Sequence, residues 1–194
     1  ADEADGTGSG ASGDSTAILR ALLDEGATDV PAYLSVVDPE AVGECLRAGV
    51  GATLDLDVGG KIDRVHYQPV SVTGYVRLIS DGVFTFKGPQ NTGAKHRRGR
   101  TVVLSIRQIQ VVLTETTCFN WDPEFYRSVG LEPRDARIVA VKSPQAYRAA
   151  YAGLMAHSLL VDAPGPATSN LRSLAGEMNR VKRPLYPFDE IGDE

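Results

Sequence analysis

The chain has 194 residues, of which 42% are hydrophobic and 23% are charged, and its formal net charge is −5 at pH 7. This composition fits a globular chain of about one domain and excludes extensive intrinsic disorder. The negative charge argues against a broad basic surface for nucleic acid, and the apolar runs are far shorter than the roughly 20 residues of a membrane-spanning helix.

The chain begins with a glycine-rich segment, residues 1–13, which leads directly into an amphipathic helix. Asp14 is placed to cap that helix and Gly26 to end it. A glycine loop before a helix can bind an anion, because free backbone N–H groups and the helix dipole point to the same place. The alternative is a flexible interdomain linker followed by a capped helix. The candidate residues for binding a substrate or an anion here are Asp5, Gly8, Gly10, Gly13, Asp14 and Ser15.

The middle of the chain predicts a strand, a helix and a β-meander, in that order. Residues 32–37 form a short apolar run typical of a buried strand, and Asp38-Pro39 starts a helix that Gly49 ends. Residues 51–115 alternate between apolar and polar or form short apolar runs, which predicts antiparallel strands. The turn signals between these strands lie at residues 59–60, 80–82 and 88–99.

The longest of these turns contains the basic cluster KHRRGR at residues 95–100. No aromatic residues are interleaved with the basic ones, so a solvated hairpin tip is the simplest interpretation of the cluster. A nucleic-acid contact is an alternative.

The last part of the chain predicts a strand at residues 137–141, a helix at 144–157 and a second strand at 159–161, which together make a parallel unit. Lys142 and Ser143 would then lie at the carboxyl edge of the sheet, where open α/β folds bind ligands. Arg148 would lie on the first turns of the helix. We treat these three residues as candidates for contact with a substrate or another domain, with helix capping and surface charge as the alternative.

These patterns predict an α/β fold with a mixed sheet, in which a parallel, helix-linked portion is joined to an antiparallel β-meander. Helices are expected on one face of the sheet. The predicted division is a glycine-rich loop or interdomain linker at residues 1–13, an α/β domain at 14–163 and an extended tail at 164–194.

Neither a metal site nor a catalytic residue is predicted within this chain. His66, His96 and His157 are scattered, and none has a second His or Cys at the spacing of a metal ligand. Cys45 and Cys118 lie far apart, which suits a reducing compartment. Because no secretory signal is visible, we expect a cytoplasmic protein that contacts neither nucleic acid nor a membrane.

Several segments, in their order and spacing, resemble the C-terminal domain of the microcystinase C-like (MlrC) metallopeptidases. The resemblance covers nearly the whole chain. The segments that carry it are DGTGSGASGDST at residues 5–16, VDPEAVGECLRAGVGATLDLDVGGK at 37–61, WDPEFYRSVGLEP at 121–133 and IVAVKSPQAYRAAY at 138–151, followed by VDAPGPATSNL and RPLYPFD.

The resemblance implies a zinc-dependent hydrolase whose metal is bound by an N-terminal domain that precedes this chain. The partners it implies are that domain and a peptide-like or small-molecule substrate, and a homodimer contact is a further expectation. Zinc is expected in the N-terminal domain, and no cofactor in this chain. The chain itself would support the substrate cleft and would be inactive alone. The resemblance also suggests that the basic loop at 95–100 could close as a lid.

The sequence departs from the family pattern at several positions. Asp5-Gly6-Thr7 stands where relatives usually have Asp-Asn-Pro, and Ser12 replaces a proline. Ala146 stands where relatives often have histidine, so an altered or reduced activity is an expectation. Two other functions remain open: a stand-alone module that binds small anions, and a non-catalytic structural or assembly domain.

Overall fold

The computed structural model describes residues 1–174, 180–186 and 188–190. The strands are β1 (Ala32–Val37), β2 (Thr53–Val58), β3 (Val70–Ser80), β4 (Val83–Thr85), β5 (Lys95–Arg97), β6 (Thr101–Ile106), β7 (Ile109–Thr114) and β8 (Ile138–Val139). The α-helices are α1 (Ala17–Asp24), α2 (Pro39–Ala48), α3 (Glu124–Arg127) and α4 (Tyr147–Tyr151), with 3-10 turns at Thr7–Ser9, Ala27–Asp29, Pro133–Asp135 and Leu171–Leu174.

Six strands form one mixed sheet in the order β2-β3-β6-β7-β1-β8. β1 runs parallel to both of its neighbours, β7 and β8, whereas β2, β3, β6 and β7 pair antiparallel to one another. β4 and β5 form a separate two-stranded hairpin. The predicted α/β fold with a mixed sheet is confirmed.

The sheet curls back on itself. The register of the 11-residue strand β3 against β6 shifts between Val76 and Leu78, and an irregularity of this kind bends and twists a strand. The backbone N–H of Gly59, just after β2, donates a 2.8 Å hydrogen bond to the carboxylate of Asp38, just after β1. Three strands separate β1 from β2 in the sheet, so only a curled sheet allows this contact.

Side chains alternate between two apolar layers along the central strands. Leu34 and Val111 point to the layer that holds α1 and α2, which is largely aliphatic. Tyr33 and Val112 point to the opposite layer, where aromatic residues of α3 and of the β4–β5 hairpin pack. The expectation that helices cover one face is therefore wrong, because α3 lies on the other.

The run Thr101–Thr114 is two strands joined by a tight turn. Arg107, which follows β6, has a φ of 53°, a left-handed conformation that non-glycine residues adopt rarely. Its guanidinium donates a 2.7 Å hydrogen bond to the Asp29 carboxylate across the surface. The sequence carries no glycine, asparagine or proline at this turn, so the usual signals of a hairpin were missing.

The predicted strand at residues 159–161 is wrong. Val161 forms an isolated bridge with Asp2, and its N–H donates to the carbonyl of Ala1 at 2.8 Å. Val161 therefore pairs with the N-terminal segment and not with a strand of the sheet. The helix predicted at 144–157 spans only Tyr147–Tyr151.

The first part of the predicted tail packs on the N-terminal segment, where the N–H of Ala167 donates to the carbonyl of Ala4 at 2.9 Å. Residues 175–179, 187 and 191–194 of that tail lie outside the described residues. Within the described residues, no helix is long and apolar enough to cross a bilayer.

Candidate functional site

The glycine-rich loop crosses the carboxyl ends of the parallel strands β1 and β7. The carbonyl of Gly13 accepts a 3.0 Å hydrogen bond from the N–H of Val37, the last residue of β1. On the other side, the hydroxyls of Thr7 and Thr117 donate 3.0 Å bonds to the carbonyls of Cys118 and Ser12. The loop is thus attached to the end of β1 and to the segment that follows β7, at the edge where α/β folds bind ligands.

The loop folds around the carboxylate of Asp5, which is fully buried. One carboxylate oxygen accepts a 2.8 Å hydrogen bond from the N–H of Gly13, and the other accepts one of 2.8 Å from the N–H of Ser15 and one of 2.5 Å from Lys142 Nζ. Backbone N–H groups and an ammonium around one carboxylate are what an external anion would require. The carboxylate of Asp5, a group of the protein itself, therefore occupies the position that the sequence predicted for a bound anion.

Lys142 is buried among polar groups of the same chain. Besides Asp5, its ammonium lies 3.9 Å from the Asp2 carboxylate and 3.5 Å from the carbonyl of Ser15. Its backbone N–H donates a 2.8 Å bond to Asn120. A cavity of about 20 Å³, room for a single water molecule, lies beside it and is lined by Asp2, Ser15, Ile18, Leu19, Leu34, Ser35, Val36, Ala140 and Lys142.

Asp14 joins the glycine loop to the loop at residues 59–67, and the prediction that it caps α1 is wrong. Its carboxylate accepts hydrogen bonds from the N–H groups of Ile62 at 2.7 Å and Asp63 at 3.2 Å, and from the hydroxyl of Ser12. The N-cap of α1 is Thr16, which makes no side-chain capping bond. The three donors turn the carboxylate away from the helix.

Three glycines of the loop serve different steric needs. Gly13 has a φ of 82°, and an added Cβ would lie 2.7 Å from a methyl group of Val37. Gly10 has a φ of 91° but faces open space, whereas a Cβ on Gly8 would lie 3.3 Å from the ring of Trp121. Gly8 and Gly10 are exposed, so the tip of the loop presents bare backbone to solvent.

Ser143 and Arg148 lie next to this cluster without joining it. The hydroxyl oxygen of Ser143 accepts a 3.1 Å bond from the N–H of Ala146 and so orders the turn before α4. The exposed Arg148 donates to the side chain of Gln145 and stacks on Tyr147, both on its own segment. The structure thus brings Lys142 to the glycine loop, and leaves Arg148 on the surface of α4.

An aromatic wall, made of Phe86, His96, Phe119 and Trp121, stands beside the loop. The rings of Phe119 and Trp121 stack at 4.2 Å with an interplanar angle of 17°, and His96 stacks on Phe119 at 5.5 Å. Burial, followed by the charge of Arg98, lowers the pKa of His96. This wall was not predicted from the sequence, although the FNW run at residues 119–121 was a signal for it.

The basic cluster at residues 95–100 does not form a continuous basic surface. Arg98 is fully buried and stacks 4.2 Å from the centroid of the Phe125 ring, and burial lowers the pKa of its guanidinium to about 10. Arg100 is paired with Glu115. Two of the cations that a nucleic-acid contact would use are thus engaged within the protein.

No three His, Cys, Asp or Glu side chains come together as a metal-binding group in the part of the chain that the structure describes. His66 hydrogen-bonds to Asp63 at 2.8 Å, and His96 belongs to the aromatic wall. These side chains therefore offer no donor set that fits a zinc ion.

Comparisons with known proteins agree with this fold. The sequence matches a family model described as MlrC C-terminus over residues 1–177. Microcystinase C from a Sphingomonas species is 32% identical over 192 residues, which cover 98% of this chain and 35% of that protein. A crystal structure of a proposed metallopeptidase from Mesorhizobium sp. BNC1 aligns with a TM-score of 0.85 and 27% identity, over 100% of this chain and 38% of that one. This chain therefore spans little more than a third of either relative.

Proposed function

The chain belongs to the MlrC C-terminus family, and from that premise we propose that it is one domain of a zinc-dependent hydrolase whose metal is bound by an N-terminal domain. The relatives support the proposal, because one is named microcystinase and the other is described as a proposed metallopeptidase. Both extend far beyond the length of this chain. The lack of a metal-binding group among the residues described here is consistent with a metal site in that additional length.

The role of this domain, in our proposal, is to form a rigid wall of the substrate cleft. The observation that carries this proposal is the construction of the glycine loop. Its inward N–H groups are bonded to Asp5, and Asp14 fastens it to a second loop, while the tip at Gly8 and Gly10 stays open to solvent. A loop fixed in this way holds its exposed backbone in one geometry without an ordering cost at binding.

The chemistry would be shared between the two domains. Zinc, when bound, supplies the activation of water and the polarisation of a carbonyl that hydrolysis needs. The backbone groups at the loop tip are suited to hydrogen-bond a peptide-like substrate, and Gly8 lets that backbone lie close to Trp121. The alternative of a small-anion module gains no support from this geometry, because Asp5 already takes the N–H groups of Gly13 and Ser15.

The test uses the complete protein, with its zinc content measured by mass spectrometry and its hydrolysis of linear model peptides followed by chromatography. We expect bound zinc and activity, and we expect Gly10→Val to lower kcat/KM at least about tenfold with zinc content unchanged. Gly26→Val is the matched control. Gly26 also has a positive φ, of 64°, and open space around it, but it follows the C-terminal end of α1, away from the loop.

Equal losses of activity in the two variants would mean that backbone strain, and not the position of the loop, causes the effect. A complete protein without bound metal or hydrolytic activity would refute the proposed function itself.

A further inference from the structure

Four large apolar side chains are exposed in two segments near the glycine loop. Val65 is 86% exposed and Leu159 76%, and Ile62 and Leu160 are each 51% exposed. Single exposed apolar side chains are common, whereas clusters of them are typical of surfaces that contact a partner. We call these four residues the apolar rim.

The two segments flank the same stretch of chain. Residues 159–167 run beside the first residues, with hydrogen bonds from the N–H of Val161 to the carbonyl of Ala1 and from the N–H of Ala167 to that of Ala4. The buried side chain of Tyr67, at the end of the loop that carries Ile62 and Val65, lies at the same place: a Cβ added to Gly165 would be 2.5 Å from the tyrosine hydroxyl and 2.6 Å from the carbonyl oxygen of Ala4. Both parts of the apolar rim therefore border the N-terminal segment that carries Asp5.

The loop that carries Ile62 and Val65 is held in place by polar contacts. The N–H of Ile62 bonds to buried Asp14 at 2.7 Å. The N–H groups of Val65 and His66 donate to Asp63 at 3.0 and 3.1 Å. An ordered loop that turns its apolar side chains outward loses little conformational entropy when a partner covers it.

We propose that the apolar rim is the surface on which the N-terminal domain of the complete protein packs. This inference rests on the proposed function, which requires such a domain. The relatives that this chain matches contain nearly two thirds of their length outside the matched part, as the coverage of 35% and 38% shows. A domain seated on the rim would lie against the N-terminal segment that carries the glycine loop.

Single cysteines introduced into the complete protein test this surface. Val65→Cys and Leu159→Cys place a thiol in the rim, and Val50→Cys is the control, because Val50 is 62% exposed but lies beyond the C-terminal end of α2. The two native thiols of this chain, Cys45 and Cys118, are buried and give little background. Burial raises the pKa of Cys45 to about 11 and that of Cys118 to about 12, so little reactive thiolate forms at pH 7.5.

We expect a maleimide to label the two rim positions at least about tenfold more slowly than position 50, as measured by peptide-resolved mass spectrometry. Equal labelling rates in a protein that binds zinc and hydrolyses peptides would overturn the rim and leave the proposed function standing. Slow labelling in a protein with neither zinc nor activity would support the rim as a docking surface and reject the proposed function. Protection that disappears as the protein is diluted to monomer would assign the rim to a second copy of the chain and overturn the proposal.

Discussion

The buried pair of Asp5 and Lys142 is the central polar contact of the loop. Asp5 is fully buried and Lys142 is 6% exposed, so neither charge is solvated and each depends on the other. A buried charge that loses its partner is neither paired nor hydrated, so the cost of its desolvation lowers the stability of the folded state. This dependence makes Lys142 a residue that positions the loop.

Lys142→Met should lower the free energy of unfolding by about 3–5 kcal/mol, because the Asp5 carboxylate would remain buried without a counter-charge. Arg107→Met is the control. It breaks an exposed pair with Asp29 and should cost at most about 1 kcal/mol. Urea unfolding followed through the fluorescence of Trp121, the single tryptophan of the chain, measures both. Similar values for the two variants would show that the buried pair is not essential to the loop.

Arg98 is a buried cation held by ring faces and by neutral acceptors. Its guanidinium contacts the Phe125 ring and donates to the Phe125 carbonyl at 2.6 Å and to the Ser128 hydroxyl at 2.9 Å. Arg98→Lys should therefore destabilise the protein by about 1–3 kcal/mol, because lysine has no planar group to stack and cannot span both acceptors.

Arg97→Lys, at the neighbouring exposed position of β5, is the control and should change stability by less than about 0.5 kcal/mol. Thermal unfolding monitored by circular dichroism compares the two. A tolerated Arg98→Lys would mean that a positive charge alone suffices at this position.

At the scale of elements, the sequence predicted correctly those strands and helices that are set by interactions between neighbouring residues. The apolar run of β1 and the Asp38-Pro39 start of α2 were sufficient, and the carboxylate of Asp38 does accept a bond from the N–H of Ala41. The turn at Arg107 escaped prediction because its positive φ is set by the tight connection between β6 and β7, not by a turn residue.

The site was less predictable than the elements, because its contacts join distant parts of the chain. Asp14 was expected to bond within its own helix, yet it bonds to Ile62 and Asp63, 48 and 49 residues away. Residues 159–161 have the composition of a strand, but Val161 pairs with Asp2 of the N-terminal segment and not with a sheet edge. The position of the glycine loop could be predicted from the sequence. Asp5 could be predicted as a site residue, but not as the buried carboxylate around which the loop folds.

The glycine loop itself allows a graded test. Gly10→Ala should cost about 1–2 kcal/mol, the penalty of a left-handed conformation in a residue with a side chain. Gly13→Ala carries the same penalty, and its Cβ would also approach Val37 to 2.7 Å and Thr7 to 3.0 Å, so it should cost about 1–3 kcal/mol more. Chemical unfolding gives both values. Equal losses would indicate that the strand end at Val37 moves aside freely.

At the scale of the whole molecule, the family assignment separates the fold of this chain from the chemistry of the complete protein. The six-stranded sheet and its two apolar layers are built from described residues, among which no metal-binding group is found. The stability of this fold should therefore not depend on the metal that we propose for the complete protein.

Under the proposed function, removal of zinc from the complete protein with a chelator should abolish hydrolysis and leave hydrogen exchange of the β1, β6 and β7 amides unchanged within error. The reason is that metal ligation stabilises the elements that carry the ligands, and the proposed ligands lie in the other domain. Peptide-resolved exchange before and after chelation is the measurement. Faster exchange in β7 on metal removal would place a structural metal contact in this domain.

The bond between Asp5 and Lys142 joins residues that are 137 positions apart. During synthesis at about 5–20 residues per second, the ribosome needs roughly 7–27 seconds to make the intervening chain. During that time Asp5 is already part of the nascent chain, whereas Lys142, its counter-ion, has not yet been added. The glycine loop thus cannot take its final form until translation has passed the end of β8, and synonymous codons that slow the ribosome before that point would lengthen the interval in which the loop is open to proteases or chaperones.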